Sequence, residues 1–154
     1  MALRGVAETR WRFPPYDYGC PSFPNLLARL TVTEDIIVAW NFNEIAPEVL
    51  LEELHTACEL VLEELVNRRS KRMSFAELVA TADERGALRD ASPGLSGAAL
   101  LTQLKDLRKD VRHRGASGAA DWLELHWEDV AKSLECIVDR LNRADSTDPS
   151  ASMS

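Results

Sequence analysis

Between Asn43 and about Arg69, apolar residues return every three or four positions, at Leu50, Leu54, Ala57, Cys58, Val61, Leu65 and Val66. That spacing lines one face of a long α-helix, and such a face needs other helices to cover it. Asn43 as a cap, with Pro47 near the first turn, marks where this helix starts. The same period returns from Ser96 to about His113, with Leu100, Leu104, Leu107 and Val111, and from Ala119 to Asn142, with Leu123, Trp127, Val130, Leu134, Ile137 and Leu141. A shorter helix opens at Ser74, which stands three residues before Glu77 as in a capping box, carries Leu78 and Val79, and ends near Gly86. The turn-rich run Ala91-Ser92-Pro93-Gly94 and the breakers Gly115 and Gly118 separate the elements. Four amphipathic helices with short connections predict an all-α, four-helix bundle.

The segment ahead of the bundle reads differently. From Leu30 to Phe42, the residues Val32, Ile36, Ile37, Val38 and Trp40 flank Thr33-Glu34-Asp35, the pattern of a small β-hairpin. Before it, Pro and aromatic residues such as Trp11, Phe13, Tyr16, Tyr18 and Phe23 show no periodicity and read as an arm that packs on the bundle or on a second subunit. The expected organisation is an arm with a hairpin over 1–46, the helical bundle over 47–143 and a disordered tail over 144–154 rich in Ser, Asp, Thr and Pro. A chain of 154 residues, 45% of them hydrophobic, suits one domain. No run approaches the roughly 18 apolar residues that span a bilayer, and Arg4, Arg10 and Arg12 precede no apolar block, so a cytoplasmic protein without a membrane partner is expected. Cys20, Cys58 and Cys136 form no short metal-ligand spacing and read as free thiols.

Charge narrows the functional classes. With 18 basic and 25 acidic residues the net charge is −7, which excludes a protein whose whole surface grips nucleic acid. The distribution is uneven, however. Pro47 to Val66 holds Glu48, Glu52, Glu53, Glu59, Glu63 and Glu64 and no Lys or Arg. Ser96 to Gly115 holds Lys105, Arg108, Lys109, Arg112 and Arg114 against Asp106 and Asp110. Lys105, Arg108, Lys109 and Arg112 stand three and four apart and so share one helix face, which is either a solvated surface or a local site for an anionic ligand.

The stretch Leu107-Arg108-Lys109-Asp110-Val111-Arg112-His113-Arg114-Gly115, with Arg108, four residues and then His113, resembles the HEPN superfamily of small helical bundles. The resemblance extends over roughly residues 45 to 142 as helix order. It implies metal-independent RNA cleavage by a homodimer, with no cofactor, in bacterial defence, a toxin–antitoxin pair or a stress response, and a defence or antitoxin protein as partner. His113 then serves as general acid or base and Arg108 meets the charge that develops on the phosphorane, leaving a 2′,3′-cyclic phosphate. Asp110 orients the imidazole or, alternatively, pairs with Arg114; Lys105, Lys109, Arg112 and Arg114 contact RNA. Lys109 occupies a position where many members carry a small polar residue, and Gly115 one where another subtype carries Tyr. Five helical residues place Arg108 and His113 about 140° apart and about 7.5 Å along the axis. Their convergence therefore needs a distorted helix end or a second chain. Members that have lost catalysis act as dimerisation or binding scaffolds, the competing expectation.

Further candidates carry bland readings. Glu52-x-x-His55 has metal-ligand spacing but lies off the apolar stripe, so exposed polar residues are expected there, and His126 reads as a core-edge histidine. A mononuclear metal site of His55, His113 and His126 is not demanded by their spacing. Arg68, Arg69, Lys71 and Arg72 complement a helix C-terminus.

Overall fold

The computed structural model describes residues 24–66, 73–91, 94–114 and 118–146, and, within these, the side chains of all but 24–27, 113–114 and 142–146. The described residues form five helices: α1 (Pro24–Asn41), α2 (Pro47–Val66), α3 (Phe75–Glu84), α4 (Gly97–Arg114) and α5 (Ala119–Ser146). Helix α2 is the hub and packs on each of the other four, while α3 also meets α4, and α4 meets α5. No helix among the described residues is long and apolar enough to cross a membrane.

The expected β-hairpin, and with it the four-helix count, is overturned: residues 30–41 lie inside α1 and no strand occurs among the described residues. The buried residues of α1 are Leu30, Thr33, Ile37, Trp40 and Asn41, which recur at helical spacing once Thr33 is counted among them. The Thr33 hydroxyl can be buried because its one proton has two acceptors in reach, Glu53 of α2 at 2.7 Å and the Arg29 carbonyl, one turn back, at 3.0 Å. The β-branched residues of this segment lower helix propensity by only tenths of a kcal/mol each, which burial of Ile37 and Trp40 outweighs. The first bundle helix thus begins at Pro24, inside the segment assigned to an arm. The remainder of that arm, residues 1–23, and the tail from 147 onward lie outside the described residues, while α5 continues to Ser146.

Asn43 closes α1 and does not cap α2. It sits at φ 60°, its N–H bonds to the Trp40 carbonyl, and the Glu44 N–H bonds to that of Ala39. This left-handed helix end satisfies carbonyls that no further turn would reach, and Asn tolerates the conformation better than most residues. Helix α3 has the expected capping box, with Glu77 N–H donating to the Ser74 hydroxyl and Ser74 N–H to the Glu77 carboxylate. It ends in the same motif as α1, with Gly86 at φ 69°.

Leu50, Leu51, Leu54, Ala57, Cys58, Val61 and Leu62 of α2 meet Leu100, Leu101 and Leu104 of α4 and Leu123, Val130, Leu134, Ile137 and Val138 of α5 in one core. Helix α4 starts tightly against the preceding loop. A Cβ on Gly97 would lie 2.4 Å from the Arg89 carbonyl oxygen and 3.0 Å from Leu88 Cβ. Both obstacles are close to the backbone and cannot swing aside. Gly97→Ala is therefore expected to cost about 1–3 kcal/mol, read as a lower urea midpoint; an unchanged midpoint would contradict the close approach.

Candidate functional site

The α2/α4 contact collects the polar groups singled out in the sequence. Helix α4 stays helical through Arg114, so the break near Arg112 that could bring Arg108 and His113 together within one chain is absent. The two remain five residues apart on one helix, on faces about 140° apart. The side chains of His113 and Arg114 lie outside the described residues, as does any contact of theirs with Asp110.

Arg108 is not an open cation. Its Nε donates to both Glu52 oxygens, at 3.2 and 3.1 Å, and the same carboxylate accepts from Arg112 Nε at 3.0 Å and from its terminal amino group at 3.1 Å. Glu52 thus sits in a fork of two guanidinium groups one helical turn apart. The fork is open to water: the side chains of Arg108, Arg112 and Glu52 are 25%, 56% and 41% exposed. Partial burial pushes the Glu52 carboxyl pKa up, but hydrogen bonds from Arg112 and Arg108, and their charges, outweigh it and hold the group below its ordinary value. Of the remaining basic residues, Lys105 lies 3.7 Å from Asp106, and Lys109 is exposed, as is Asp110.

His55, expected at the surface, is only 3% exposed. The reason is the position of α2: a helix covered on several sides has little solvated face left, so residues off its apolar stripe are buried too. The imidazole stacks on Phe75 at the start of α3, with ring centroids 4.4 Å apart and planes at 24°. Neither ring nitrogen has a hydrogen-bond partner. Burial, reinforced by the charges of Arg108, Arg112 and Lys105 and opposed by Glu52, pushes its pKa down to about 4, so it is neutral at pH 7.

Glu53 is also buried, ion-paired to Arg29 and hydrogen-bonded by Thr33, both from α1. Glu52 and Glu53 together line an open cleft of about 430 Å³ between α1 and α2, with Arg29, Glu48, Val49 and Thr56. His126 lies at the core edge against Trp122, with Nδ1 3.4 Å from Asp129. Among the described residues, no three His, Cys, Asp or Glu side chains are grouped to hold a metal ion. Cys58 and Cys136 are free thiols, and burial pushes the Cys58 pKa up; Cys20, Arg68, Arg69, Lys71 and Arg72 lie outside the described residues.

Sequence reasoning missed the partnership of Glu52 with Arg108 and Arg112, which joins positions 56 and 60 apart. Its only sequence signal was an all-acidic helix beside a basic one. No family model, curated protein or solved structure matches the chain.

Proposed function

We propose that this chain is a non-catalytic, HEPN-like helical module that works by binding and dimerisation. The observation that carries the reading is the engagement of Arg108 by Glu52. A ribonuclease needs that guanidinium directed at a phosphorane, where charge develops in the transition state. Here a carboxylate already takes its Nε and a second arginine shares the same carboxylate. The unbroken α4 adds support, since it keeps Arg108 and position 113 on different faces of one chain.

The competing reading, an endoribonuclease built from two chains, draws support from Arg108, Lys109 and Arg112 occurring within the five residues before His113. The two readings separate in one experiment. RNA is incubated in EDTA with the protein and with Arg108→Ala and His113→Ala, while light scattering reports the mass in solution. The module reading expects a mass of two chains and no cleavage that either substitution removes. Cleavage yielding 2′,3′-cyclic ends and lost in both variants would replace it with the ribonuclease.

A further inference from the structure

We propose that the Arg108/Arg112 fork is a binding site for a phosphate monoester, closed in this structure by Glu52 acting as a displaceable internal lid. The proposal goes beyond the binding-module reading: it makes the engagement of Arg108 by Glu52 reversible, so that with phosphate bound the non-catalytic reading rests on the unbroken α4, which keeps Arg108 and position 113 on different faces. It begins with the donors. Two guanidinium groups, one turn apart on α4, converge on a single pair of oxygens with four N–H···O contacts of 3.0–3.2 Å. This planar, multidentate arrangement is the one by which arginines hold phosphate as well as carboxylate. A phosphomonoester near neutral pH carries nearly twice the charge of a carboxylate and has three terminal oxygens, so it satisfies the same donors better than Glu52 does.

Glu52 also has somewhere to go. Its side chain is 41% exposed and borders the open cleft between α1 and α2, whose lining includes Arg29. The Nε of Arg29 is buried and has no hydrogen-bond partner, although its terminal amino group pairs with Glu53. Arg29 is thus already paired and its free donor is buried, so what the open cleft offers a leaving carboxylate is hydration. Release from α4 exchanges the two arginine partners for water and does not strand a buried charge, since Glu52 is already 41% exposed.

The surroundings select for a small ligand. Glu48 and Glu53 line the same cleft, and α2 as a whole carries six carboxylates and no basic residue. A polynucleotide crossing this face would meet repeated like charge, whereas a single phosphate placed on α4 stays on the basic helix, at the two arginines.

The test titrates inorganic phosphate, adenosine monophosphate and an oligoribonucleotide lacking terminal phosphates into the full chain at constant ionic strength. The Nε–H NMR signals of Arg108 and Arg112 report occupancy. Inorganic phosphate and the monophosphate are expected to move both signals together in the natural protein. Glu52→Gln is expected to bind them about tenfold more tightly, because the competing charge is gone, and Arg112→Ala in that background removes the gain. Signals unmoved by saturating phosphate in the natural protein overturn the proposal whether or not the variants fold. A Glu52→Gln protein that binds no better overturns the lid. Preferential binding of the oligoribonucleotide replaces the monoester with a polynucleotide.

Discussion

Leu54→Ala is expected to remove about 4 kcal/mol of stability, toward the upper end for a core leucine. Leu54 is fully buried at the middle of α2, the helix against which all four others pack. A cavity there is bordered by elements that also hold one another, α3 on α4 and α4 on α5, so few of them can move inward to fill it. Domains of this size have only about 5–15 kcal/mol to lose. The measurement is urea denaturation followed by circular dichroism, with the midpoint falling at an unchanged slope. A loss below about 1 kcal/mol would mean that α2 is not enclosed as described.

Acid should destabilise the protein well above the carboxylate range, because of His55. In the unfolded chain the imidazole titrates near 6.5, while in the folded bundle burial holds it at about 4. Between these values the unfolded state takes up a proton that the folded state refuses. Stability is therefore fully present above about pH 6.5 and falls as the pH drops towards 4, by a total on the order of 3 kcal/mol. Glu52, whose folded pKa is lowered, adds a loss of the same sign only below its ordinary value of 4.5. Glu135 works in the other direction, since burial raises its pKa against the pull of Lys132 and Arg89, and the folded state then gains protons first. Comparing the natural protein with His55→Leu at pH 7 and pH 5 isolates the histidine. The variant should lose much less stability between the two, and equal losses would mean that His55 finds water or a partner when charged.

Much of the bundle was legible because its signals are local. The capping box at Ser74, the stop at Gly86 and the leucine and tryptophan stripe of α5 depend on neighbours within a turn or two, and each is found in place. What failed depended on distant partners. Thr33 looked like part of a turn because Glu53, which makes its burial tolerable, lies twenty positions away. His55 looked solvated because an apolar stripe defines one buried face, and nothing local shows that α2 is covered on others. Of the site, the basic face of α4 was readable from spacing alone. Its neutralisation by Glu52 was not, since a charge pair between helices leaves no periodic trace.

The basic partners of α2 arrive from opposite ends of the chain, which has a consequence for vectorial synthesis. Glu53 finds Arg29 and Thr33 already made when α2 leaves the ribosome, so the α1–α2 pair can settle at once. Glu52 must wait for Arg108 and Arg112, 56 and 60 residues later. At typical elongation rates of about 5–20 residues per second, that is roughly three to twelve seconds. During this interval the nascent chain displays an acidic helix with Arg108 and Arg112 still unmade, and the growing bundle has its charge satisfied only on the α1 side.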